Sequence, residues 1–122
     1  MFAWAVGDPA ALSAAVRELL EDPDNAVLVS SASVWEMSIK HHLGKWPEVA
    51  PFFDDTMYAG FLSTLRATEL PIRHAHARLA GQWAVAHRDP FDRMLAAQAV
   101  IEGVPILSKD VLLDQFSVTR LW

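Results

Sequence analysis

The chain has 122 residues, 52% of them apolar and 20% charged, which is the balance of one folded domain rather than of a disordered segment. It contains no cysteine, so a disulfide framework and a thiolate metal site are excluded. Its net charge of −5 argues against a passive polyanion binder, which is normally basic. The longest apolar runs fall far short of the ~20 residues that a helix needs to cross a bilayer. The opening Met1-Phe-Ala-Trp-Ala-Val6 has neither the basic start nor the long apolar stretch of a secretion signal. A cytoplasmic protein with no membrane segment is the expectation. The charge is uneven, because Arg73, Arg78, Arg88 and Arg93 face only Asp89 and Asp92 between Pro71 and Leu95. That pattern suits an ordinary solvated surface. It equally suits an enzyme whose carboxylates hold a metal while neighbouring cations hold a polyanion.

Asp8-Pro9 is a sensible helix start, an aspartate cap with proline at the first position, and Ala10 to Glu21 carries Leu12, Val16, Leu19 and Leu20 at helical spacing. Asp22-Pro23-Asp24-Asn25 turns the chain. Ala26 to Ser30 reads as a wholly apolar strand of the kind buried on both faces of a parallel sheet. A helix from Ser31 to Leu43 follows and ends at Gly44. Further helices are predicted over Val49–Leu65, looser near Asp54-Asp55, over Arg73–Trp83, and from Asp89 to Glu102 before Gly103. Strands are predicted over Ala67–Ile72, Val104–Ser108 and Val118–Leu121, with a helical turn at Val111–Gln115. The alternation points to right-handed βαβ units and an open parallel sheet covered on both sides, in one domain spanning 1–122.

Ligands of such sheets bind beyond the carboxyl ends of the strands, and three acidic residues fall at that edge by sequence. Glu36 follows the Ala26–Ser30 strand, Asp110 follows Val104–Ser108, and Asp92 lies in the first turn of the Asp89–Glu102 helix. Carboxylates converging from separate elements suit Mg²⁺ or Mn²⁺, which prefer oxygen ligands and activate water at phosphates. Each residue also has a purely structural reading. Ser33-Val-Trp-Glu36 fits a capping box. Asp89 reads as the cap before Pro90, Asp92 gains from the helix dipole with or without a metal, and Asp110 can cap the turn at Val111. Asp114 reads as solvated, although it lies one turn from Asp110. His41-His42 reads as a solvated helix end, and His74 and His76 are spaced too closely to share a helix face. Trp35, Trp46 and Trp83 read as core or partner-contact residues. No phosphate-cradling glycine loop and no serine or cysteine nucleophile motif is present.

Four stretches resemble the PIN-domain family, and within it the VapC-like toxins of bacterial toxin–antitoxin pairs. They are Val27-Leu-Val-Ser-Ser-Ala-Ser-Val-Trp-Glu-Met-Ser-Ile-Lys40 with Leu43-Gly-Lys45, His87-Arg-Asp-Pro-Phe-Asp-Arg-Met-Leu-Ala-Ala-Gln-Ala99, Ile106-Leu-Ser-Lys-Asp110, and Val118-Thr-Arg-Leu-Trp122. The Asp-Pro-Phe-Asp-Arg core is the most specific of these. The resemblance implies a three-layer α/β/α fold with a parallel sheet, and a Mg²⁺- or Mn²⁺-dependent endoribonuclease that cleaves RNA phosphodiesters through metal-activated water. Residue by residue, Glu36 matches the family's helix glutamate, Asp92 its third acidic position and Asp110 the acid after the later strand, with Asp114 as a possible substitute. Arg88, Arg93 and Lys109 are candidates, by charge and position, for holding the substrate backbone. The implied partners are RNA, a cognate antitoxin and a second copy of the chain.

The family begins with a strand ending in an Asp-Thr/Ser-His-type segment, followed by an apolar run whose tryptophan matches Trp4. Met1 falls inside that run, so the first, central strand and its aspartate are expected to be missing from this chain; Asp8, read as a helix cap, does not replace that aspartate. A start assigned too late and a truncated form with an incomplete site are both consistent with this. The alternative function is therefore a catalytically impaired PIN-like protein that acts by binding an antitoxin or another partner.

Overall fold

A computed structural model describes residues 12–122. The Asp8-Pro9 helix start lies outside the described residues. The chain divides into two compact units, Met1–Leu70 and Pro71–Trp122.

In the first unit, helix α1 runs Ala14–Glu21, capped by Ser13, whose hydroxyl accepts from the Val16 amide at 3.2 Å. Of the helix expected over Ala10–Glu21, the described part begins at Ala14, where the Ser13 hydroxyl satisfies one of the free first-turn amides. Val16 is almost fully buried. The turn that follows is closed by the Asp22 carboxylate on the Asp24 amide at 2.9 Å, as the Asp-Pro-Asp-Asn sequence implies. Strand β1, Val27–Ser30, passes directly into helix α2, Ser31–His42, because Ser30 ends the strand and caps the helix, its hydroxyl accepting from the Ala32 amide at 3.0 Å. Gly44 then takes the left-handed conformation, φ 72°, that favours glycine after a helix.

The expected Val49–Leu65 helix is broken in two. A 3₁₀ segment spans Pro47–Phe53 and helix α3 spans Asp55–Leu65, with Asp54 as the cap of α3 accepting from the Met57 amide at 2.9 Å. Pro51 has no N–H to give an α-helical ladder, and Asp54 offers a competing start. Strand β2, Ala67–Leu70, pairs parallel with β1, Val27 opposite Ala67 and Ser30 opposite Leu70. It stops before Pro71 rather than reaching Ile72, since proline cannot donate to the ladder. Val29, Met37, Val49, Phe52 and Leu65 form the core of this unit. Leu28 stays 38% exposed, so β1 is not buried on both faces as its composition suggested.

In the second unit, helix α4 runs His74–Gln82 and packs against the long helix α5, Pro90–Glu102. Ala96, Ala97 and Ala99 are buried along α5, and Gly103 closes it at φ 67°. Strand β3, Ile106–Leu107, pairs parallel with β4, Arg120–Leu121, through a 3₁₀ crossover at Val111–Gln115. Both strands are shorter than their apolar runs suggested. Ala96, Leu113 and Phe116 form the core, with Trp83, Val85, Ile106 and Val118 packed on it. The fold is α/β with parallel strands. Among the described residues these form two separate two-stranded sheets in place of the one open sheet expected.

Candidate active site

The start of α5 builds most of the site. Asp89 caps the helix, its Oδ1 accepting from the Phe91 amide at 2.9 Å and the Asp92 amide at 3.0 Å, and Pro90 fills the first helical position, where no N–H is needed. These contacts place Asp92 in the first turn, at the positive end of the helix dipole. Its side chain is only 21% exposed, and His87 donates from Nε2 to its Oδ2 at 2.7 Å. Burial raises the Asp92 carboxyl above the ordinary carboxylate range, and the negative charges of Asp89 and Asp110 add to the rise while the His87 hydrogen bond opposes it.

Asp110 is fixed from two sides just beyond β3. Its amide donates to the Ser108 hydroxyl at 3.1 Å, and its Oδ1 accepts from the Leu112 amide at 3.0 Å, capping the 3₁₀ turn. Its charge is felt at Asp92, so β3 and α5 bring two carboxylates into one electrostatic neighbourhood. In each carboxylate one oxygen is hydrogen-bonded, and the other has no hydrogen-bond partner among the described residues. Asp114 is gripped at both oxygens by Arg120, at 2.7 and 3.1 Å, which holds its carboxyl below the ordinary range. Arg120 also donates to the Ser108 carbonyl at 3.1 Å, so Asp114 serves the β3–β4 connection.

Glu36 lies in the first unit, in the second turn of α2, with Lys40 one turn further on at 2.8 Å. The Ser33–Glu36 capping box does not form, because Ser30 is the cap and Ser33 already lies inside the helix. Among the candidates for substrate contact, Arg88 and Lys109 are exposed. Arg93 is not available in that way. It donates to the carbonyls of Ala80 at 2.7 Å, Trp83 at 2.6 Å, Val85 at 2.9 Å and His87 at 2.9 Å. An arginine has five donors in a rigid fork, and these contacts use most of them, so Arg93 shapes the segment before α5.

His76 is fully buried. Its Nδ1 accepts from the Arg73 amide at 2.9 Å and its Nε2 lies 2.9 Å from Glu102, which also pairs with Arg73. This ties the start of α4 to the end of α5 and leaves no nitrogen for a metal. In the first unit a groove of about 430 Å³ is lined by Ser31, Trp35, Ser38, Phe53, Tyr58 and Glu69. Trp35, read from sequence as core or partner contact, is 58% exposed there. Burial, and secondarily the Glu69 charge, pushes the Tyr58 hydroxyl above its ordinary value.

His87 has no role in the sequence reading, although it opens the His87–Ala99 stretch that carries the resemblance and lies five residues before Asp92, across the Asp89-Pro90 cap. Arg93 was misread because a cation beside an acid looks the same in sequence whether it faces solvent or backbone.

The PIN-domain family model matches residues 1–118, nearly the whole chain. The chain belongs to the PIN-domain family. No curated protein and no solved structure matches it. PIN domains are generally nucleases that act on RNA and typically depend on a divalent metal. In this PIN domain no three His, Asp or Glu side chains are grouped to hold a metal ion among the described residues. Asp92 and Asp110 nonetheless offer the hard carboxylate oxygens that such a metal takes, each with one oxygen outside its hydrogen bond. Mg²⁺ commonly keeps several waters and takes only one or two carboxylates. No helix among the described residues is long and apolar enough to cross a membrane.

Proposed function

We propose that this PIN domain is a Mg²⁺- or Mn²⁺-dependent endoribonuclease, acting in the cytoplasm as the VapC-like toxin of a toxin–antitoxin pair. The observation that carries the reading is the setting of Asp92 in the first turn of α5, a largely sheltered carboxylate with Oδ2 held by His87 at 2.7 Å and Oδ1 outside that bond. A purely structural helix residue has no need of such a neighbourhood, whereas a metal ligand gains from it. Asp92 and Asp110 would hold the cation, and Glu36 is the further acidic candidate that the family resemblance offers. When bound, the cation supplies a polarised water and neutralises charge on the phosphodiester. Arg88 and Lys109 hold the RNA backbone, a role that Arg93 gives up to the carbonyls it already serves. A cognate antitoxin and a second copy of the chain are the proposed protein partners.

A second reading is favoured by the lack of a three-ligand cluster among the described residues. In it the chain is a catalytically impaired PIN-like protein that acts through antitoxin or partner binding. One assay separates the two. Purified chain is incubated with structured RNA and Mn²⁺ or Mg²⁺, beside an EDTA blank and Asp92→Asn. Cleavage by the wild type that both controls abolish supports the nuclease. Folded protein that binds RNA or antitoxin without metal-dependent RNA loss supports the impaired form.

A further inference from the structure

An aspartate can turn either oxygen towards a ligand, and a site gains precision when something decides which. At Asp92 that choice is made by His87, whose Nε2 lies 2.7 Å from Oδ2 and leaves Oδ1 without a hydrogen bond among the described residues. His87 belongs to no helix or strand; it sits in the irregular stretch between α4 and α5, where a side chain is normally loosely placed. Two contacts hold it in place. Its ring stands edge-on to Phe116, with centroids 5.8 Å apart at 86°, and Phe116 is a buried core residue. Its own carbonyl accepts from Arg93 at 2.9 Å. The same guanidinium holds the carbonyls of Trp83 and Val85 and reaches back to Ala80 at the end of α4. Arg93 is the residue after Asp92, so the stretch carrying His87 is fastened to the very turn of helix that carries the carboxylate.

We propose that His87 is the positioning residue for Asp92, presenting one carboxylate oxygen to a divalent cation, and that Arg93 holds His87 in place by gripping the backbone before α5. This rests on the reading of Asp92 as a metal ligand. Hydrogen bonds from outside the ligand set orient the ligands, and their loss typically weakens metal binding about 10–100-fold.

The test is Mn²⁺ binding to the full chain by isothermal titration calorimetry, with the metal-free melting temperature recorded for each variant. His87→Phe keeps a ring against Phe116 and removes the donor. His87→Gln supplies an N–H at the reach of Nε2. The expected result is a loss of Mn²⁺ affinity of about 10–100-fold in His87→Phe, recovered in large part by His87→Gln, with little change in the metal-free melting temperature of the phenylalanine variant. Wild-type Mn²⁺ affinity in His87→Phe overturns the proposal. So does an equal loss in both variants accompanied by a fall in melting temperature, because His87 is then only a structural tie. Asp92→Asn separates the two levels: if it binds Mn²⁺ as the wild type does, the metal reading of Asp92 fails, whatever the His87 variants show.

Discussion

At Asp92, the fold opposes the charged form of the side chain. Burial and the charges of Asp89 and Asp110 raise its carboxyl, so the folded chain holds that proton more tightly than the unfolded chain does. The contribution to stability is therefore complete below the ordinary carboxylate value, falls as pH rises through the folded one, and stays reduced at neutral pH. Asp92→Asn removes the charge and keeps an oxygen for His87. The metal-free variant should be more stable than wild type by about 0.5–2 kcal/mol at pH 7. The gain should shrink towards pH 3.5, and urea titrations at both values would show it; equal stabilities at pH 7 would mean the charge carries no penalty. Tyr58 gives a cleaner reading, because it is the only tyrosine in the chain. Absorbance at 295 nm should place its ionisation above the ordinary value of 10.0, and Glu69→Gln should bring it partway down, since burial is the larger cause.

At the scale of the element, the segment between α4 and α5 depends on one side chain. Arg93→Ala removes a donor from four carbonyls, of which that of Trp83 keeps a backbone partner, the Val85 amide at 2.8 Å. The expected cost is about 2–4 kcal/mol, measured by chemical unfolding. Arg93→Lys should recover little of it, because an ammonium cannot span the fork. Leu113 is 2% exposed in the core with Ala96 and Phe116, and Leu113→Ala should cost about 2–5 kcal/mol.

The same scale shows what the sequence made legible. Asp89-Pro90 and Gly103 marked both ends of α5, because a cap, a proline and a left-handed glycine are local devices that need no partner elsewhere. The turn at Val111–Gln115 was readable for the same reason. At Asp54 the sequence showed a loosening but not a full break, because the apolar residues on both sides belong to one core, which hides the competing cap. Of the candidate site, the acids could be named from the sequence, whereas the hydrogen-bonded oxygens of Asp92 and Asp110 and the contacts of the Arg93 guanidinium could not. Those depend on contacts among α4, α5 and β3, which no local pattern encodes.

For the whole molecule, net charge sets how nucleic acid is held. If the proposed contacts Arg88 and Lys109 are the phosphate contacts of a chain of net charge −5, RNA binding releases few counterions. The logarithm of RNA affinity should fall with the logarithm of salt concentration at a slope of about −1.4, which is roughly two contacts at −0.7 each on a single strand. A slope steeper than about −3, measured by fluorescence anisotropy with Ca²⁺ in place of the active metal, would mean that further cations take part.

Arg93 grips main-chain oxygens, and these are the same whatever side chain each residue carries. The stretch from Trp83 to His87 can therefore change its sequence at Ala84 and Ala86, both exposed, while keeping its course. The chain has no cysteine of its own. Ala86→Cys thus creates a single labelling point beside His87, where a fluorophore can test whether metal or RNA arrives at the start of α5.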